Sequence, residues 1–227
     1  TWNESIKKIH SEDCENLKNS NYLNRLIFDE IMSNFLISSQ LRKKVKNKKK
    51  EKNFKINDVD SYLKKLNFKL TNDQNKAIEE INKDLNSKER MFRLVQGDVG
   101  SGKTIVSLIS ALNVINSGYQ VALMVPTEIL AIQHFNTASN FFENNIKIEM
   151  LTGNTETLVK KKVIENIKLN KTKLIIGTHA LLQKKIFYKN LGLIIIDEQH
   201  KFGVRQRKEL SDKGGKNCDV LVMSATP

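Results

Sequence analysis

Residues 97–104 read GDVGSGKT, and few strings of this length limit a fold so tightly. They fit the pattern G-x-x-x-x-G-K-[ST] of a phosphate-cradling loop. Gly97, Gly100 and Gly102 let the chain turn sharply and bring backbone N–H groups, with Ser101 between them, against phosphate oxygens. The apolar run MFRLV (91–95) leads into the loop and a helical pattern over 103–117, closed by Gly118, leads out of it. A strand therefore delivers the loop to the positive end of a helix, which favours the same anion. In that setting Lys103 is placed to reach the β- and γ-phosphates of a nucleotide, and Thr104 to put its hydroxyl on Mg²⁺.

The rest of the chain supplies the sheet that such a loop requires. After the loop come the short runs VALMV, KLIIG, LGLIIID and DVLVM, rich in Val, Ile and Leu and without polar alternation. Together with MFRLV they read as strands buried on both faces, and hence as a parallel sheet covered by helices. Helical stretches are expected over 128–143 and 155–169 as well. The fold class is a doubly wound parallel α/β sheet carrying a phosphate loop, a P-loop NTPase architecture, with an N-terminal helical extension. In that extension Leu23, Leu26, Ile27, Ile31, Phe35, Leu36 and Leu41 recur at three- and four-residue spacing and predict a helix over 21–45. A dense basic run follows at 42–52, to be read as a solvated linker or as an arm facing a polyanion.

A second acidic group must hold the metal, and LGLIIIDEQH (191–200) brings it. Its strand ends in Asp197 and Glu198, so both carboxylates emerge at the carboxyl edge of the sheet, where open α/β folds bind ligands. Asp197 is placed to hold Mg²⁺ through water, and Glu198 to orient and deprotonate an attacking water. That pair favours hydrolysis over phosphoryl transfer to a bound small molecule, so a kinase is the weaker reading. Upstream, Gln74 carries an amide able to read an adenine edge. Thr71-x-x-Gln74 is equally a capping box for a helix starting near Asn72, and the two readings do not exclude each other. Phe68 stacks near the base or joins the core.

Charge and cysteine usage bound the setting. The chain of 227 residues carries a formal charge of +13 and a pI of about 9.6. Such a balance points to nucleic acid as a partner, although Lys is abundant throughout. Cys14 and Cys218 lie far apart, which argues for a reducing compartment and against a zinc site. No apolar run has the length of a membrane span, and no signal segment opens the chain, so the expectation is a cytoplasmic protein without a membrane partner. With no initiator Met, and a stop at Pro227 straight after an apolar run, the chain reads as a piece of a longer protein.

With these residues assembled, the order of motifs resembles superfamily 2 helicases and translocases. Gln74 fits their glutamine motif, GDVGSGKT motif I, PTEILAIQH (126–134) motif Ia, LTGN (151–154) and GTHALL (177–182) the nucleic-acid motifs that follow, DEQH (197–200) motif II, and SAT (224–226) motif III. Within the superfamily, QGDVGSGKT, GTHALLQ and LGLIIIDEQHKFGVRQR resemble the RecG family of branched-DNA helicases, and the helical segment 21–42 resembles the piece joining its wedge domain to its motor. The resemblance covers most of the chain, with residues 46–66 poorly matched. It implies a helical linker segment with the basic run at 1–66 and the first RecA-like helicase motor lobe at 67–227, ending just after motif III.

The resemblance also implies roles. Gln74 becomes an adenine contact; His200 couples the γ-phosphate side to motif III; Thr127, Thr152, Gly153, Thr178 and His179 face DNA; Ser224 and Thr226 link nucleotide state to DNA contacts. ATP and Mg²⁺ are the implied cofactors, and Lys103, Asp197 and Glu198 carry catalysis. The implied partners are forked or branched duplex DNA and the second motor lobe and wedge domain of the same protein, working as a monomer in recombination and repair. Two alternatives stand beside this: the translocase lobe of a transcription-repair coupling factor, which shares much of the motif set, and a nucleotide- and DNA-binding module with little turnover. The isolated piece is expected to hydrolyse ATP poorly, because in these motors the second lobe supplies arginines to the γ-phosphate. Neutralising Lys48, Lys49 and Lys50 together is expected to leave DNA affinity and its salt slope unchanged; a shallower slope in a binding titration shows that the basic run touches phosphates.

Overall fold

The computed structural model describes residues 2–11, 21–45, 54, 60–64, 68–143, 145–198, 209–210 and 212–225. Chain packing separates two compact units, Thr1–Asn47 and Lys48–Pro227.

The first unit holds helix α1 (Trp2–Ser11) and helix α2 (Asn21–Val45), which pack together. The apolar spacing over 21–45 thus forms the helix it predicts, while α1 was not anticipated. Arg25 and Asp29, one turn apart on α2, are joined at 2.9 Å, an exposed pair that adds a few tenths of a kcal/mol. Ile27, Phe28, Ile31, Met32 and Leu36 are exposed on α2. Of the basic run, residues 46–52 lie outside the described residues.

The second unit is a three-layer sandwich. Its elements are α3 (Asp60–Leu63), α4 (Asn72–Leu85), β1 (Phe92–Gln96), α5 (Lys103–Asn116), β2 (Gln120–Met124), α6 (Glu128–Phe142), β3 (Ile148–Leu151), α7 (Thr157–Lys168), β4 (Leu174–Gly177), β5 (Leu191–Ile196) and β6 (Asp219–Ser224). The six strands form one sheet in the order β1-β6-β5-β2-β4-β3, with every neighbouring pair parallel. Side chains alternate between two cores, as the period of two demands. Val121, Leu123, Leu193, Ile195, Leu221 and Met223 face α4, α5 and α6. Ala122, Met124, Ile194, Ile196, Val220 and Val222 face α7 and the segment around Leu210 and Cys218.

Three findings depart from the sequence expectation. Phe54, Tyr62 and Leu63, assigned to the linker segment, pack into the core of the second unit. Phe54 stacks edge-on against Tyr119 at 5.5 Å, and its N–H donates to Asn86 Oδ1 at 3.0 Å. β1 is not buried on both faces: it is an edge strand, with Phe92 and Leu94 61% and 52% exposed, because no described element covers that side. β3 carried no recognised strand signal. It is a four-residue edge strand whose Glu149 interrupts the apolar run, and Asn166 Nδ2 (2.7 Å) and the Thr172 hydroxyl both donate to that carboxylate.

One buried amide locks the amino ends of the strands. Gln120 is fully buried; its Nε2 donates to Ile167 O and Thr172 O at 2.9 and 3.0 Å, and its Oε1 accepts from the N–H groups of Lys189 and Asn190 at 3.0 and 3.2 Å. Every polar atom of that amide is satisfied, which is what its burial requires.

Phe142→Ala is expected to destabilise the second unit by about 3–5 kcal/mol, because Phe142 is fully enclosed. Phe92→Ala should change the unfolding free energy read from a urea titration far less, by no more than about 0.5 kcal/mol.

Candidate functional site

Because all strands run the same way, every loop that follows a strand opens at one edge of the sheet. The phosphate loop follows β1, residue 225 follows β6, Asp197 follows β5, Thr127 follows β2, Thr178 follows β4 and Thr152 follows β3. Sheet order rather than chain order decides who sits beside whom. The loop, Ser224 and Asp197 fall on neighbouring strands at one end; Thr127, Thr178 and Thr152 fall on neighbouring strands at the other.

At the first end, Gly100 and Gly102 have φ of +83° and +82°, the left-handed region open to glycine. A Cβ at Gly102 would also run into the Gln74 side chain. The start of α5 differs from those of α4 and α6. Thr71 and Thr127 cap theirs by accepting from the N–H groups of Gln74 and Leu130, whereas Gly102 offers α5 no side-chain cap. The first N–H groups of α5 therefore lack an intrahelical partner and point into the loop, which fits a phosphate. Lys103 Nζ donates to Gly97 O at 2.6 Å and Asp98 O at 2.8 Å, folded back on the carbonyls of its own loop.

Gln74 does two jobs in this arrangement. Its Oε1 accepts from Thr71 N–H at 2.9 Å, completing the capping box, and its Nε2 donates to Ser101 O at 2.9 Å. The amide thus tethers α4 to the phosphate loop, a link that local sequence did not reveal, and each amide atom retains capacity for one more bond. Phe68 is half exposed. Ser224 is buried, and its carbonyl accepts from Gly97 N–H at 3.3 Å, which joins the end of β6 to the start of the loop.

Asp197 and Glu198 follow β5 as expected. Asp197 N–H donates to Met124 O at 2.9 Å, and its Oδ1 accepts from Glu198 N–H at 3.0 Å. Glu198 has φ of 51°, a left-handed conformation that a glutamate does not choose freely. His134 closes the segment PTEILAIQH but had no role assigned from the sequence, yet its Nε2 donates to Asp197 Oδ2 at 2.7 Å. The one available signal was its place two helical turns after Thr127, on the same face of α6. His200, Thr226 and the FGVRQR segment lie outside the described residues.

The other end is more varied than expected. Thr127, Gly153 and His179 are exposed, whereas Thr152 and Thr178 are 5% and 2% exposed. Thr127 Oγ1 caps α6, so its hydroxyl is already engaged. The Thr178 hydroxyl has no partner among the described residues. Glu128 was also missed. Its carboxylate accepts from Asn154 N–H at 3.0 Å and from Asn154 Nδ2 at 2.7 Å, fastening the 152–154 turn to the first turn of α6. The Asn154 backbone N–H, aided by the Thr152, Asn154 and Gly153 donors, holds the Glu128 carboxyl below the usual carboxylate range.

Among the described residues no helix is long and apolar enough to cross a membrane. Residues 71–227 match the DEAD/DEAH box helicase family. The ATP-dependent DNA helicase RecG of Aquifex aeolicus is 46% identical over 233 residues, covering 98% of this chain and 29% of that protein. The Bacillus subtilis protein of the same name is 40% identical over 229 residues, covering 99% of this chain and 33% of its own length. A solved structure of RecG bound to a three-way DNA junction superposes with a TM-score of 0.75 at 41% identity, over 91% of this chain and 28% of that one. This chain therefore spans about three tenths of the relatives it matches.

The folded value of Glu128 lies below the unfolded one, so the stabilisation from its bonds is complete above the unfolded pKa and is lost as pH falls through the folded value. The Asn154 amide shift in an NMR titration is expected to have its midpoint below the ordinary glutamate value of about 4.3. Glu128→Gln should abolish that titration.

Proposed function

The chain belongs to the DEAD/DEAH box helicase family, and we propose that it forms the ATP-binding first motor lobe of a RecG-like helicase that remodels branched DNA. The observation that carries this reading is the gathering of the phosphate loop, the Asp197–Glu198 pair and the Thr127, Gly153 and His179 surface on one edge of one parallel sheet. The similarity to RecG proteins over nearly the whole chain supports the choice within the family, and does not favour the transcription-coupled alternative.

In this reading Mg²⁺-bound ATP, when present, supplies the phosphoanhydride bond whose hydrolysis drives the motor. Lys103 exchanges its two carbonyl partners for phosphate oxygens, and the uncapped first turn of α5 donates its N–H groups beside it. The Thr104 hydroxyl, and the Asp197 carboxylate through water, would hold the metal, which needs only one or two protein groups. Glu198 orients the attacking water and takes its proton. Gln74 presents the free capacity of its amide to adenine, with Phe68 alongside. His200 and Thr226 join Ser224 in relaying nucleotide state, Ser224 through its carbonyl bond to Gly97. Thr127, Gly153 and His179 touch the DNA backbone, while the buried Thr152 and Thr178 support them from beneath.

The wider proposal rests on the family resemblance of the motifs. Branched or forked duplex DNA is the substrate, the second motor lobe and a wedge domain belong to the same polypeptide, and the protein works as a cytoplasmic monomer in recombination and repair. The helices α1 and α2 of the first segment serve as the link to the wedge, while Phe54, Tyr62 and Leu63 near its end belong to the core of the motor lobe. The second lobe contributes arginines to the γ-phosphate, a contribution of roughly 10³–10⁵ in rate in comparable phosphoryl-transfer systems.

Steady-state ATP hydrolysis by this chain is expected to stay at the level of Glu198→Gln, with or without forked DNA, while labelled ATP binds in a Lys103-dependent way. Clear DNA-stimulated turnover by the chain alone overturns the dependence on a second lobe. Loss of nucleotide binding altogether overturns the assignment of the site.

A further inference from the structure

The bond between His134 and Asp197 joins two elements that lie far apart in the chain. The residues stand 63 positions apart, on α6 and at the end of β5, and meet at 2.7 Å. Both side chains are shielded, at 7% and 13% exposure. A charge-assisted bond in that setting is short, directional and weakly screened, unlike an exposed pair that comes and goes.

Its geometry restricts what the carboxylate can do. The Asp197 backbone is fixed by Met124 O, at the end of β2. Oδ1 accepts from Glu198 N–H, and Oδ2 accepts from His134 Nε2. Without the last contact the carboxylate could turn about its own axis; with it, the plane of the carboxylate is set. An octahedral Mg²⁺ tolerates little error in the direction of its ligands or of the waters they hold. Groups that orient a ligating residue from behind matter for that reason, even though they never touch the metal.

We propose that His134 is a positioning residue for Asp197, its Nε2–H fixing the carboxylate in the orientation that receives the nucleotide-bound metal and anchoring that orientation to α6. This rests on the reading of Asp197 as a metal-holding group. The anchor is not an arbitrary one. The first turn of α6 carries Thr127 and holds the 152–154 turn through Glu128, and His134 lies roughly 10 Å further along the same rigid helix. One element thus carries both the grip on the proposed DNA-facing turn and the grip on the metal-holding carboxylate. Strand pairing links the same two regions through backbone alone, by way of Leu151, Gly177 and Met124, whereas α6 links their side chains.

The test uses this chain and a fluorescent non-hydrolysable ATP analogue, comparing the wild type with His134→Met and His134→Gln. Methionine fills the space without offering a donor, and glutamine brings an amide N–H to nearly the same reach. Nucleotide affinity is measured in EDTA and across a Mg²⁺ titration, with thermal melting of each variant alongside. His134→Met is expected to weaken apparent Mg²⁺ affinity at least about tenfold while affinity in EDTA is kept, and His134→Gln to recover most of the loss. Three results overturn the proposal: equal Mg²⁺ affinity in His134→Met and wild type, a matching loss in EDTA, or a glutamine variant as weak as methionine. If His134→Met does not fold, His134→Ala takes its place in the same comparison. A wild type that binds nucleotide identically with and without Mg²⁺ instead removes the metal-holding reading of Asp197, a failure recognisable because it precedes any substitution.

Discussion

Parallel pairing governs the rest of this molecule. A parallel ladder cannot be closed by tight hairpins, so each strand needs a crossover that covers one face of the sheet before the next strand is laid down. Here α5, α6 and α7 serve as three of those crossovers. The cost is that the central strands have no face left for water, and β2, β4, β5 and β6 are buried along their whole length. The gain is that six strand ends, with the backbone groups and side chains that follow them, come to a single edge. Residues distributed from Gly97 to Ser224 become neighbours without any loop having to travel far.

The polar interactions at the two edges of the sheet differ in kind. At the amino ends Gln120 uses its whole amide, buried and fully satisfied, to hold α7, β4 and the approach to β5 together. Removing such a group would strand several buried partners, a cost that exceeds the modest net worth of each bond. At the carboxyl edge the groups are only partly committed. Gln74 keeps capacity on both amide atoms, Lys103 is bonded to carbonyls it can leave, and the first turn of α5 is uncapped. The amino edge closes its hydrogen bonds, while the carboxyl edge, where the candidate site lies, holds some in reserve. The left-handed Glu198 belongs to the same pattern, since local strain there is carried by the buried strand before it.

The candidate site was legible in the sequence to the extent that its parts are local. The phosphate loop announces itself because glycine, lysine and threonine must stand at fixed offsets, and the acid pair because it ends an apolar run. The helix over 21–45 and those after β1, β2 and β3 follow from spacing. β3 was not legible, because Glu149 breaks an already short run and its carboxylate is satisfied by Asn166 and Thr172 from elsewhere in the chain. The exposure of Phe92 and Leu94 was hidden too, since an edge strand and a central strand of the same composition read alike. Phe54 carries no local mark of the core it joins.

What the sequence determined by itself was pattern at short range: where a phosphate-loop motif follows an apolar run, and where a pair of carboxylates ends one. Tertiary structure alone decided their company. It set β6 between β1 and β5, so that Ser224 O bonds Gly97 N–H. It brought Gln74 onto Ser101, Glu128 onto Asn154 and His134 onto Asp197. It turned Thr152 and Thr178 inward while leaving Gly153 and His179 in the open. The physical reason is one of range. Backbone propensity and motif spacing act over a few residues, whereas these contacts join groups tens of residues apart, and strand order, set by how both faces of the sheet are buried, decides which of them meet.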